Sequence, residues 1–73
     1  MEDQQLQSNK KEIKLRRALI LGNFYQKKVE IIRAINQGYE TIIDTIIGLK
    51  ADLVLTKEGR SIPKSSIKFI YQL

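Results

Sequence analysis

The stretch Tyr39–Arg60, YETIIDTIIGLKADLVLTKEGR, constrains the fold of this chain more than any other. Its residues alternate at a period of two. Tyr39, Thr41, Ile43, Thr45 and Ile47 share one face, and Glu40, Ile42, Asp44 and Ile46 the other. A strand with apolar residues on both faces must bend, giving first one side and then the other to a core. Gly48 permits a corner, Leu53-Val54-Leu55 makes the next short strand, and Glu58-Gly59 supplies the tight turn that reverses it. The rest of the chain then covers the two faces of this ribbon.

The flanking segments fit that role. Residues 1–8 are polar and expected to fray, as termini do. Asn9 is a candidate N-cap, with Glu12 placed to close a capping box. The helix beyond it is expected to run to about Leu21, where Gly22-Asn23 tolerates a left-handed exit. Leu15, Ala18 and Leu19 form its docking arc, while Lys10, Lys14 and Arg17 make a separate basic stripe. Ile13 and Ile20 form a third group. They are expected to pack under the Phe24-Tyr25 loop, with a subunit contact as the sharper alternative.

From Lys27 the period changes to two. Val29, Ile31 and Ile35 face one way, and Glu30, Ile32 and Ala34 the other. Asn36-Gln37-Gly38 reads as a three-residue hairpin loop with Gly38 at a positive φ beside a bulge. Arg60-Ser61-Ile62 is a brief strand stopped by Pro63, Lys64-Ser65-Ser66 a single tight turn, and Ile67–Tyr71 the last strand. The expected core comprises Val29, Ile31, Ile43, Leu53, Leu55, Ile62 and Phe69, with Leu15 and Leu19 docking the helix.

At 73 residues, a length that leaves room for one domain only, apolar burial and chain entropy come out nearly balanced. Stability must come from a dense core, a partner or self-association. No apolar run reaches the roughly 18 residues that span a bilayer. The polar start lacks a signal-peptide pattern, and the chain has no Cys, so a cytoplasmic location and no membrane partner are expected. The absence of His and Cys also removes the commonest metal ligands, proton shuttles and thiol nucleophiles. Glu40 and Asp44 share a strand face, but a solvated face explains them better than acid–base chemistry. The four glycines are isolated rather than gathered into a phosphate loop. No enzyme and no cofactor are expected.

Charge supplies the remaining signal. Residues 1–28 hold seven Lys/Arg against three acids, whereas residues 29–73 hold six against five. The basic excess of the first third points to polyanions through counterion release, or to no more than a soluble surface. Candidate nucleic-acid contacts are Lys10, Lys14, Arg16, Arg17, Lys27 and Lys28, with Tyr25 placed to stack on an unpaired base. Phe24 and Tyr39 are weaker candidates for stacking.

The order helix, glycine-closed hairpin, bent strand, two short strands around a turn, tight turn and last strand resembles the Sm-like small barrel. That family includes the eukaryotic Sm proteins and the bacterial RNA chaperone Hfq. The resemblance covers roughly residues 9–73. Gly38 stands where the family's first motif closes its opening hairpin, and Asp52-Leu53-Val54-Leu55 resembles its acid-plus-apolar strand. Ile43 stands where the motif has a second glycine. Ser61-Ile62-Pro63-Lys64 replaces the Tyr-Lys-His sequence of the Hfq central site, so that site's uridine-binding residues do not carry over. The ending Glu58-Gly59-Arg60-Ser61-Ile62-Pro63 with Ile67 is also similar to that of a family of short bacterial proteins.

The resemblance implies a mainly β, five-stranded, SH3-like (Sm-like) small barrel with an N-terminal α-helix, as one domain over residues 9–73. The expected function is a non-catalytic nucleic-acid-binding module with single-stranded RNA as partner. The alternative is a protein-interaction or homo-oligomerisation module. Pro63 shortens the strand that pairs between subunits in Sm-type rings, which favours a dimer over a ring.

Overall fold

The computed structural model describes the backbone from Glu2 and the side chains from Lys10 to the end of the chain. One helix, α1 (Glu2–Tyr25), precedes six strands: β1 (Val29–Ile35), β2 (Gly38–Asp44), β3 (Ile46–Leu49), β4 (Leu53–Thr56), β5 (Ser61–Pro63) and β6 (Ile67–Gln72). They form two antiparallel three-stranded sheets, ordered β2-β1-β6 and β3-β4-β5. A single 3₁₀ turn, Lys64–Ser66, carries the chain from one sheet to the other. The fold is therefore mainly β with one N-terminal helix. The closed five-stranded barrel expected from the sequence is not formed.

The difference arises at Thr45. The expected bent strand breaks there because the Thr45 amide leaves the ladder and donates to its neighbour Asp44 Oδ1 at 2.7 Å. The Thr45 carbonyl accepts from the Lys57 amide at 2.9 Å instead. One continuous strand thus becomes β2 in the first sheet and β3 in the second.

Leu15, Ala18, Val29, Ile31, Ile42, Ile46, Val54, Ile62, Ile67 and Ile70 form the core, with Leu19 and Leu49 packed against it. Two strands present the opposite parity to that expected. In β2 it is Ile42 and Asp44 that point inward, and Ile43 stands half exposed. In β4 it is Val54 and Thr56 that are buried, while Leu53 and Leu55 are only partly covered. Phe69 is likewise outside, because a bulge between Ile32 and Arg33 resets the β1–β6 register. The inward residues flanking that bulge on β6 are Ile67 and Ile70.

The helix is longer than expected at its C-terminal end. Gly22 does not terminate it but lets α1 lie directly on β3. A Cβ at Gly22 would collide with the Ile46 carbonyl oxygen. The left-handed exit falls instead on Gln26, at φ 56, after which the Lys27 amide donates back to the Leu21 carbonyl at 3.1 Å. Phe24 and Tyr25 consequently belong to the helix rather than to a loop, and they cover nothing. Ile13 and Ile20 stay 56% and 52% exposed rather than packed beneath them. At the other end α1 already begins at Glu2, so Asn9 lies within the helix instead of capping it, while the side chain of Leu6 is not described.

Three polar contacts tie α1 to the far end of the chain. Lys11 Nζ donates to the carbonyls of Lys64 and Ile67, each at 3.1 Å. Lys64 Nζ donates to Glu12 Oε1 at 3.2 Å. The Glu58-Gly59 turn is as expected, with Gly59 at φ 91. The first hairpin closes in two residues, Asn36-Gln37, rather than three. Gly38, at φ 137, already pairs with Ile35, and no bulge interrupts the β1–β2 register. Pro63 closes β5, whose strand neighbour among the described residues is β4 alone, so its missing amide costs the ladder nothing.

Candidate nucleic-acid interface

The candidate site is built from one flank of α1 and the outer face of the sheet β2-β1-β6. Along α1, Lys10, Lys14 and Arg17 recur at helical spacing and are all exposed. Lys14 and Arg17 rise from the line where the helix, through Ala18, meets β6. The Lys14 ammonium sits over the Tyr71 ring, 6.0 Å from its centroid, at the outer limit of a cation–π contact. Lys14 and Arg17 line a cleft of about 270 Å³ with Ala18, Ile70, Tyr71 and Gln72. β6 pairs with β1 on one side, so this cleft runs along an edge that no other described strand occupies.

Strand alternation supplies the neighbouring face. The pairs Ile32↔Thr41 and Ile32↔Phe69 form one cross-strand row, and Glu30↔Ile43 and Glu30↔Tyr71 the next. Ala34 opposite Tyr39 extends the face toward the hairpin. Antiparallel sheets with one solvated face ordinarily turn polar residues outward. Here Tyr39, Ile43, Phe69 and Tyr71 are 68%, 50%, 52% and 45% exposed on that face. The Phe69 and Tyr71 rings lie parallel within 11°, with centroids 6.2 Å apart.

All seven residues singled out from the sequence are exposed, but they do not converge on one place. Lys14 and Arg17 gather beside β6, and Lys10 lies one turn before Lys14 along the helix. Tyr25 shares the Lys14 flank but stands about 16 Å further along the helix axis. Arg16 lies about 200° around the helix from Lys14, on the opposite flank. Lys27 and Lys28 lie just past the end of the helix. Among the described residues, the ion pairs are Arg33–Glu40, Arg60–Asp44, Arg60–Glu58 and Lys64–Glu12. No described carboxylate therefore neutralises the stripe.

Phe69, expected in the core, and Tyr71 are the aromatic residues that the sequence pattern did not single out for the interface. The alternation Ile67, Phe69, Tyr71 suggests a single face, and the displaced register separates Ile67 from the two rings. The signal that could have found them is the pair of aromatics at i, i+2 in a segment that also carries Ile70, an apolar residue of opposite parity able to take the core position.

Asp44 has a perturbed pKa. Burial pushes its carboxyl upward, but hydrogen bonds from the Thr56 hydroxyl, the Thr45 amide and Arg60, with the Arg60 charge, outweigh burial and hold it below the ordinary value of 3.8. It is a structural ion pair between the sheets rather than part of the interface. Among the described residues no group of three or more His, Cys, Asp or Glu could hold a metal ion. Among them, too, no helix is long and apolar enough to cross a membrane. No protein family, curated protein or solved structure matches the chain.

Proposed function

We propose that this protein is a non-catalytic nucleic-acid-binding module that takes single-stranded RNA, without a cofactor, through the basic flank of α1. The observation that carries the reading is the position of Lys14 and Arg17. Both are exposed, both line the cleft along β6, and Lys14 stands over Tyr71 with no described carboxylate paired to it. Lys and Arg so placed would meet phosphates, and the open β6 edge leaves room for a backbone to pass. We read the scaffold as related to SH3-like, Sm-type small barrels. Counting β2 and β3 as halves of one bent strand interrupted at Thr45 gives that order of elements, and the Lys64–Ser66 turn stands between the last two strands as it would there.

Titration of a fluorescent single-stranded RNA at two salt concentrations tests the reading. Binding should be weak and largely indifferent to sequence. It should fall with salt at a log–log slope of roughly −0.7 per phosphate neutralised. Changing Lys14 and Arg17 together to Glu should lower both the affinity and the slope while leaving circular dichroism unchanged. Absence of binding at low salt would remove the proposal.

One observation favours a second reading. Ile13, Ile20 and Phe24 form an exposed apolar strip on the solvent side of α1, with Phe24 77% exposed. A homodimer joined along that strip is the interaction-module alternative. Sedimentation at high micromolar concentration that shows only monomer would dismiss it.

A further inference from the structure

The outer face of β2-β1-β6 has a chemistry that the phosphate contacts do not use. We propose that Phe69 and Tyr71 are a base-stacking platform, so that the ligand is an unpaired, extended nucleic-acid strand rather than a duplex or a polyanion in general. The platform rests on the nucleic-acid reading above and deepens it.

Three observations converge on this occupant. The two rings are half exposed on the outer face of the sheet and lie parallel within 11°. A planar base stacked on one is therefore aligned with the other. Their centroids are 6.2 Å apart, nearly twice the roughly 3.4 Å rise per base along one strand of a duplex. Two successive bases that each occupy a ring are thereby drawn apart from one another, which a paired helix does not allow. The third observation is charge. In the cross-strand rows that hold the rings the charged residue is Glu30, with Lys68 exposed in the β6 bulge beside Phe69, while Lys14 stands at the Tyr71 end and Arg17 lines the adjoining cleft. Bases on the rings and phosphates on the helix match that division, apolar and aromatic on one side and cationic on the other. Ile32 continues the surface beyond Phe69, giving a third base an apolar floor.

The experiment compares four probes by anisotropy at low salt: a labelled mixed-sequence RNA octamer, the DNA octamer of the same sequence, its duplex, and inorganic polyphosphate as competitor. The variants are Phe69→Ala, Tyr71→Ala and Tyr71→Phe, each first checked for an unchanged melting curve. The single strands should bind more tightly than the duplex and resist displacement by polyphosphate. Each Ala variant should weaken single-strand binding by about 5- to 150-fold, the range seen when a stacking ring is removed. Tyr71→Phe should retain binding, because the ring and not the hydroxyl does the stacking. Equal binding of the DNA octamer supports the platform and assigns recognition to bases rather than to the 2′-hydroxyl.

If the Ala variants bind as the parent does, or the duplex binds as well as single strands, the platform is overturned while the phosphate reading stands. If neither RNA nor polyphosphate binds the parent protein, the phosphate reading fails first. A parent dimer that Phe69→Ala converts to monomer, without single-strand binding, would overturn the platform too and give the face to a second copy of the chain.

Discussion

Arg60 Nη1 donates to Asp44 Oδ2 at 2.5 Å, joining the end of β2 in one sheet to the start of β5 in the other. Asp44 is almost wholly buried, whereas the Arg60 side chain is 43% exposed. The two partners are therefore not equivalent. Removing the carboxylate by Asp44→Ala leaves the Thr45 amide and the Thr56 hydroxyl without their acceptor, at a cost of about 2–4 kcal/mol. Arg60→Ala should cost less, about 1 kcal/mol, because solvent screens the exposed guanidinium and Asp44 keeps its other donors. Urea denaturation of both variants checks the order.

The same carboxyl makes stability depend on pH. Its folded pKa lies below the ordinary value of 3.8, so its contribution is fully present above that value. It is lost as pH falls through the folded pKa. The difference in urea midpoint between the parent and Asp44→Asn should be constant from pH 7 to about 5 and shrink below about pH 4. A difference that instead widened as the pH fell would contradict the assignment.

Gly22→Ala tests the seating of α1 on β3. Alanine favours a helix interior by about 1 kcal/mol over glycine. The new Cβ would nevertheless run into the Ile46 carbonyl oxygen, which is backbone and cannot swing aside. Overpacking should win, with a net loss of about 2 kcal/mol or more. Gln26→Gly should do the opposite, stabilising by roughly 1 kcal/mol, because it relieves a left-handed residue of its Cβ. Thermal melts of the two variants should move in opposite directions.

The parity of β2 is tested by a neighbouring pair. Ile42→Ala should cost about 2–5 kcal/mol as a buried truncation, and Ile43→Ala about 0.5 kcal/mol or less. Equal losses would place both residues in the core.

On the basic flank, position matters more than charge count. Lys14→Gln should reduce the salt slope of RNA binding by about 0.7, one phosphate contact. Arg16→Gln should leave it unchanged, since Arg16 lies on the other side of α1.

Much of the architecture is legible in the residues. Hydrophobic alternation locates β1, Gly38 and Gly59 mark their turns, Pro63 marks an edge, and Leu15 and Ala18 mark the docked side of the helix. The departures have a common source, which is tertiary contact overriding a local rule. Asp44 reads as an outward residue because carboxylates are seldom buried. Only Arg60, sixteen positions on, makes it an inward one and so exchanges the roles of Ile42 and Ile43. Gly22 reads as a helix terminator because nothing local announces that a strand backbone will press against it. The candidate site divides in the same way. The basic stripe is visible at helical spacing, whereas the ring pair beside it depends on a bulge between Ile32 and Arg33 that no residue in β1 foretells.

The central position of β1 bears on how the chain reaches this structure. Its partners are β2, which comes next after a tight turn, and β6, separated from it by every other strand. The β1–β2 hairpin can form early, but the second edge of β1 then stays open until the second sheet has been traversed. Lys11 and Glu12 face a comparable delay, since Lys64 and Ile67, which hold them, also lie far along the chain. Such long loops slow closure. A cut in the connection between β3 and β4 would leave the helix, β1, β2 and β3 in one fragment and β6 in the other, joined across the first sheet through the β1–β6 ladder.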